Sequence, residues 1–90
     1  MDEGAADDRW QALADWMGTL VGSRPAGKTI CPSEVARAAA GPAGDWRQMM
    51  PLVHRIALAE AAAGRVVLMH KGQPVTGAPR GAYRIGRRRG

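Results

Sequence analysis

The first part of the chain shows a regular alternation of apolar and polar stretches. From Asp7 onward, apolar side chains recur every three or four positions, as on the buried face of a helix. Asp7 or Asp8 can cap this helix, and GSRPAG (22–27) ends it with Gly and Pro. Residues 1–6 offer little to pack, so we expect them to form a disordered N-terminus. The pattern predicts an amphipathic helix 1 whose buried face carries Trp10, Leu13, Ala14, Met17, Leu20 and Val21.

A short extended segment and a second helix follow. KTI (28–30) is partly β-branched and lies between a Gly-Pro loop and a proline, which predicts a brief strand. Pro32 suits the first position of a helix, because its missing N–H would have no partner there. Glu34 suits the third position, where a carboxylate favours the helix dipole. Helix 2 is therefore predicted to start after Cys31, which occupies the N-cap position.

A third helix is predicted from Trp46 to about Ala63, with its end at Gly64. Asp45 can cap it, and Gln48 lies three residues later, as a capping box requires. Pro51 removes one backbone hydrogen bond and should kink the helix or make its first turn tight and separate. Because the apolar pattern continues across the proline, we predict one helix. Its buried face would carry Trp46, Met49, Met50, Val53, Ile56, Ala57 and Ala61.

The C-terminal part changes to a strand-like pattern. RVVLMHK (65–71) and AYRIG (82–86) flank the Gly- and Pro-rich GQPVTGAPRG (72–81), which predicts a two-stranded hairpin with a long loop. The resulting order of elements is that of an α+β winged helix-turn-helix, a three-helix core with a C-terminal two-stranded β-hairpin wing. We expect one winged-helix domain over residues 7–86 and a basic disordered tail over residues 87–90.

The length of the chain predicts a single domain, and its charged residues are unevenly distributed. The chain has 90 residues with three Trp, one Tyr and no Phe, so we expect the tryptophans to anchor one modest core. Residues 1–45 carry seven acidic and four basic side chains (formal charge −3), whereas residues 46–90 carry one acidic and nine basic side chains (+8). This asymmetry favours a face that attracts polyanions.

The charge and the predicted fold together favour nucleic-acid binding. In a helix-turn-helix the second helix of the motif lies in the major groove. Spacings of seven pair Arg47 with His54 and Gln48 with Arg55 on the solvent face of helix 3. We therefore predict a protein that binds nucleic acid, in particular duplex DNA, with helix 3 in the groove and the wing on the backbone. Further basic contacts would come from Lys71, Arg80, Arg84, Arg87, Arg88 and Arg89.

An alternative function is a protein–protein interaction module on the same scaffold. Trp16 lies at the edge of the apolar face of helix 1, and the wing strand is apolar. Together they would form a surface for an unidentified protein partner, without nucleic-acid contact.

Three segments carry a family resemblance: KTICPSEVAR, DWRQMMPLVHRI and AAAGRVVLMHKGQPV. They resemble an uncharacterised bacterial family of small winged-helix-like proteins, described as a domain of unknown function. The resemblance covers about residues 8–86, and KTICPSE is its most specific part. It implies a winged-helix fold and a bacterial origin, and it implies no activity, ligand or catalytic residue.

The remaining chemistry argues against catalysis. A helix N-terminus stabilises a thiolate, which makes Cys31 a candidate nucleophile. A catalytic cysteine also needs a base and an orienting partner, and His54 and His70 fall on helix 3 and on a wing strand. No histidine pair has i, i+4 spacing, so we expect no metal site. We interpret Cys31 as the start of helix 2 and expect neither an enzyme nor a cofactor.

The sequence also predicts a cellular location and an oligomeric state. A lone cysteine suits a reducing compartment, and no apolar run approaches the roughly 18 residues of a membrane span. The chain also has no extra helix for dimerisation. We expect a soluble, cytoplasmic monomer with no membrane partner.

Overall fold

A computed structural model describes the backbone of residues 2–88 and the side chains of residues 8–88. Within that range the fold is α+β, as predicted, with three α-helices, one short 3-10 helix and a four-stranded antiparallel sheet. In chain order the elements are α1 (Asp2–Ser23), β1 (Thr29–Ile30), α2 (Pro32–Ala40), the 3-10 helix (Trp46–Met49), α3 (Met50–Ala62), β2 (Val66–His70), β3 (Gln73–Val75) and β4 (Arg84–Arg87).

Helix α1 is longer than its apolar pattern predicted. It starts at Asp2 instead of Asp7, so the backbones of Asp7 and Asp8 lie inside the helix and cap nothing. The predicted buried face is confirmed at its centre, where Leu13, Met17 and Val21 are buried. The apolar stripe locates the packed part of the helix, whereas its start depends on local backbone hydrogen bonds that need no buried side chain.

Helix α2 begins as predicted. Cys31 is its N-cap residue, with extended backbone (φ −84°, ψ 146°), and Pro32 occupies the first turn. The Glu34 carboxylate accepts a hydrogen bond from the Cys31 backbone N–H at 2.5 Å. This bond caps the helix, because the Cys31 N–H is a donor that no helical carbonyl reaches.

The prediction of one continuous third helix is wrong, and Pro51 is the reason. In a continuous α-helix the Arg47 carbonyl would accept from the N–H of residue 51, which proline lacks. It accepts instead from the Met50 N–H, so the first turn is 3-10 and α3 starts anew at Met50. Asp45 caps the 3-10 helix as predicted, although its side chain accepts from the Arg47 N–H (3.2 Å) and not from that of Gln48.

The prediction of a two-stranded hairpin is also incomplete, because the sheet has four strands in the order β1-β4-β2-β3. The predicted pairing of β2 with β4 is present, with Leu68 opposite Ile85. Lys71 and Gly72 both have positive φ (51° and 79°), which gives the tight reversal of a two-residue hairpin turn. The chain therefore folds back at once into β3, and the predicted long loop shrinks to residues 76–83.

A single core lies between the helices and the sheet. The tryptophans were expected to anchor it, and that expectation is wrong: Trp10 and Trp46 pack only partly buried against the core, and Trp16 is 41% exposed. Medium-sized aliphatic side chains fill the centre instead, where branched side chains from helices and strands interdigitate. The buried hydrophobic residues of this core are Leu13, Met17, Val21, Ile30, Val35, Ala36, Val53, Ile56, Ala57, Val66, Leu68 and Ile85. No helix within residues 2–88 combines the length and apolar character needed to cross a membrane.

Candidate functional site

The predicted groove-reading residues contact different neighbours in the fold. Arg47 lies in the 3-10 helix, and its Cζ is 4.6 Å from the centroid of the Trp46 ring. The Arg37 Cζ from α2 lies 4.5 Å from the same ring, so both guanidinium groups gather around one indole. Gln48 is exposed in the same short helix. The change from three to 3.6 residues per turn at Met50 breaks the seven-residue spacing that related these positions to α3.

The other two predicted readers, His54 and Arg55, contact different elements. The Arg55 Cζ lies 5.8 Å from the ring centroid of Trp10 on α1. His54 contacts the segment before β4, with Nδ1 2.7 Å from the Tyr83 hydroxyl and the two ring centroids 5.6 Å apart. Both side chains are exposed, but they flank α3 on two sides.

Basic side chains instead converge at the end of the sheet. An open cleft of about 880 Å³ lies between β1, the end of β2 and the loop before β4. We call it the basic cleft. Its lining residues are Thr29, Cys31, Met69, His70, Lys71, Arg80, Tyr83 and Arg84, together with residues 27, 72, 81 and 82. No acidic residue within the described side chains lines it. Three residues predicted as phosphate contacts, Lys71, Arg80 and Arg84, are therefore brought together.

The strand register explains how the cleft is assembled. Thr29 pairs with Gly86 and Ile30 with Ile85 across β1 and β4. A Cβ atom placed on Gly86 would lie 3.2 Å from the Thr29 Cγ2, so glycine lets the two strands approach closely. Continuing the register by one residue puts Cys31 opposite Arg84. Because side chains alternate along a strand, Thr29 and Cys31 face the same side.

Arg84 is held at this position by Thr29 and Cys31. Its Nε donates to the Thr29 hydroxyl at 2.5 Å and its Nη2 to the Thr29 carbonyl at 3.0 Å. Its Nη1 donates to the Cys31 Sγ at 2.9 Å. Within residues 8–88 the ion pairs are Arg24 with Glu34 and Arg65 with Glu60, so no carboxylate neutralises Arg84. The guanidinium is fixed in place while its charge stays uncompensated.

Two histidines attach the loop before β4 to the rest of the fold. A carbonyl oxygen only accepts, so the 2.7 Å contact of His70 Nδ1 with the Ala82 carbonyl places a proton on Nδ1. The other ring nitrogen, Nε2, is left for a different partner. Burial raises the pKa of Tyr83 to about 12, so its hydroxyl keeps its proton at neutral pH beside His54.

The remaining predicted contacts differ in kind. Arg87, predicted in a disordered tail, ends β4, and its Nη2 donates to the Gly22 carbonyl at 2.6 Å, which ties the strand to α1. Arg88 is exposed, and Arg89 lies outside the described residues. Arg65 donates twice to the Glu60 Oε2, at 2.9 and 2.6 Å. The hydrogen bonds to Glu60, and then its charge, raise the pKa of Arg65.

A family model described as "Protein of unknown function (DUF3253)" matches residues 10–88. The chain belongs to the DUF3253 family. A comparison with curated proteins finds no match. The resemblance to a domain of unknown function is thereby confirmed over nearly the predicted span. The matched range in this DUF3253 chain includes the whole sheet and every residue of the basic cleft.

Sequence reasoning missed several partners in this DUF3253 cleft. Thr29 and Tyr83 were not singled out, and Cys31 was interpreted only as the start of a helix. Cys31 fills that role and also accepts from Arg84, 53 positions away in the chain. The pairing of β1 with β4 creates this contact, and a two-residue strand leaves no pattern that points to its partner. Among the described side chains, no group of three His, Cys, Asp or Glu is arranged as metal ligands would be.

Proposed function

We propose that this DUF3253 chain is a winged-helix protein that binds nucleic acid, with duplex DNA as its ligand. The topology supports this assignment, because α2 and α3 are consecutive helices in the positions of a helix-turn-helix. Strand β4 lies between β1 and β2, and we assign the antiparallel pair of β2 and β4 as the wing. The added strand β3 pairs with β2 and forms the edge of the sheet beside it.

The observation that carries the proposal is the convergence of Lys71, Arg80 and Arg84 on one cleft that has no acidic residue among its described lining side chains. Contacts between basic side chains and phosphates supply most non-specific affinity for DNA and make it depend on salt. In this arrangement the wing is the main backbone contact. Arg47, Gln48 and His54 would approach the groove from the start of helix 3, while Arg55, against Trp10, would contribute least.

A titration of a generic labelled DNA duplex, followed by fluorescence anisotropy at several salt concentrations, tests the proposal. We compare the parent chain, a chain ending at Arg87, and a Lys71→Ala/Arg80→Ala variant. Arg65→Ala is the matched control, because Arg65 is exposed but paired with Glu60. Loss of two phosphate contacts should lower the slope of log affinity against log salt by about two.

Two outcomes would contradict nucleic-acid binding by the folded wing. One is no binding of the parent chain even at low salt. The other is binding that the Lys71→Ala/Arg80→Ala variant keeps unchanged while the chain ending at Arg87 loses it. In that case the affinity would belong to the last residues and not to the cleft.

A second candidate function, protein–protein interaction, has one observation in its favour. Trp16 is the large apolar side chain that α1 leaves 41% exposed among the described residues. Exposed tryptophans are frequent at the centres of protein interfaces. Iodide quenching of tryptophan fluorescence, compared between the parent chain and Trp16→Leu, tests its accessibility. If quenching does not change when Trp16 is removed, Trp16 is not accessible and this function loses the observation that favours it.

A further inference from the structure

We propose that the basic cleft is a binding site for a small molecule that carries a phosphate monoester. The site shares residues with the proposed DNA contact, but it does not depend on DNA binding. The argument rests on the shape of the cleft, on the state of its charges and on the side chains beside them.

The shape of the cleft suits a small ligand. Its volume of about 880 Å³ lies within the range of ligand pockets, roughly 300–1,000 Å³. The walls come from three separate parts of the chain: Thr29 and Cys31 on one side, the end of β2 on another, and residues 80–84 on the third. A ligand of matching size can contact all three parts at once.

Arg84 provides a prearranged anion contact at one wall. A guanidinium has five N–H donors, and three of them are used on Thr29 and Cys31. One N–H remains on each terminal nitrogen. Because hydrogen bonds to Thr29 and Cys31 already hold the guanidinium in place, an anionic ligand would bind it without the entropy cost of ordering the side chain.

The charge around the cleft matches a dianion better than a monoanion. Lys71, Arg80 and Arg84 bring three positive charges to the lining, and no carboxylate lines it within the described residues. The nearby Glu34 carboxylate is engaged by the Cys31 N–H and lies 3.8 Å from Arg24. A phosphate monoester carries about −1.5 to −2 at neutral pH, whereas a backbone phosphodiester carries one negative charge. The cleft therefore favours a monoester.

The remaining lining residues define the rest of the ligand. Met69 and the ring of Tyr83 provide an apolar wall beside the charged groups. His70 has Nδ1 bound to the Ala82 carbonyl, so Nε2 is the ring nitrogen that can meet a ligand oxygen. A ligand with an aromatic body attached to the phosphate, such as a nucleoside monophosphate, satisfies both parts of the site.

Titrations followed by amide chemical shifts in two-dimensional NMR spectra test this site. The probes are inorganic phosphate and adenosine 5′-monophosphate, with adenosine and sodium chloride as controls at constant ionic strength and pH. We expect saturable shifts at Thr29, Lys71 and residues 80–84 with both phosphates, tighter for the nucleotide. Lys71→Ala/Arg80→Ala should weaken nucleotide binding at least tenfold. Arg65→Ala, which changes an exposed arginine that is paired with Glu60 outside the cleft, should leave it unchanged.

Shifts that chloride reproduces, that never saturate, or that the Lys71→Ala/Arg80→Ala variant retains would overturn the proposal. A parallel titration with the DNA duplex distinguishes a small phosphate ligand from the DNA backbone. If the duplex binds and neither small phosphate does, the cleft serves the DNA backbone alone, so this inference fails and the proposed function stands. If adenosine 5′-monophosphate binds at the cleft and the duplex does not, the proposed function fails and this inference stands.

Discussion

Positive charge is used differently on the helical side of this molecule and at the end of its sheet. On the helical side, Arg37 and Arg47 lie against Trp46, and Arg55 lies against Trp10. In the basic cleft, Arg84 is fixed by hydrogen bonds to Thr29 and Cys31. Guanidinium groups on indole rings help to cover apolar surface, so they act partly as packing. A fixed guanidinium without a counter-ion is available to an external anion.

This comparison shows that the number of basic residues is a weaker guide than their partners. The helical region attracted the prediction of a groove-reading face because its residues share a helical spacing. The cleft residues lie in a turn, a loop and a strand, and they share no spacing at all. Strand pairing and the loop before β4 bring them together, and no carboxylate lines the cleft in the part of the chain that the structure describes.

The largest expected effect is that of Arg84→Ala on stability. This change removes three hydrogen bonds that join β4 to β1 and to the start of α2. Because the groups are exposed to water, we expect the free energy of unfolding to fall by about 1–2 kcal/mol in urea titrations. Arg55→Ala loses only a 5.8 Å contact with Trp10, so it should lower the free energy of unfolding by less than about 1 kcal/mol. Equal losses would show that the two regions hold their arginines in the same way.

A second test compares the two regions directly as DNA contacts. Lys71→Ala/Arg80→Ala should lower the salt slope of duplex binding by about two, and Arg47→Ala/Arg55→Ala by less than one. The physical reason is that Arg47 and Arg55 already lie against indole rings and would have to leave them to reach phosphates. Anisotropy titrations over a range of salt give both slopes. A larger decrease for the helical pair would restore helix 3 as the main contact.

The smallest effect concerns the loop that closes the cleft. Burial raises the pKa of Tyr83 from 10 to about 12, so the folded state holds this proton more tightly than the unfolded state. The stabilisation is complete below about pH 10 and is lost as pH rises toward 12. The slope is at most about 1.4 kcal/mol per pH unit, and less here because the ring is only partly buried. Thermal denaturation between pH 9 and 12 measures it.

Tyr83→Phe provides the matched control for this pH effect. It keeps the ring and removes the titrating hydroxyl, so the alkaline loss of stability should become shallower. Arg47→Ala, on the helical side, should leave the pH profile as it is in the parent chain. If Tyr83→Phe does not change the profile, another group causes the alkaline decline.

The local start and stop signals were accurate predictors where a single residue decides the backbone. Cys31 and Pro32 start α2, Asp45 caps the following turn, and Gly64 follows the end of α3. Pro51 was correctly identified as a conflict, but the apolar pattern was given more weight than the missing N–H. In the structure the missing donor decides the backbone, because the 3-10 turn ends at Met49 and α3 starts at Met50.

The amino-acid sequence by itself determined the α+β class, the order of the main helices and strands, the N-cap role of Cys31 and the surplus of basic residues in the second half. Each of these depends on neighbours within a few positions of the chain. Only the tertiary structure decided that β1 and β3 join the sheet, that Trp16 stays exposed, and that Thr29 and Cys31 hold Arg84. The contacts of β1 with β4 and of Thr29 and Cys31 with Arg84 join residues more than fifty positions apart, and they form because burying Ile30 and Ile85 in one core brings β1 against β4.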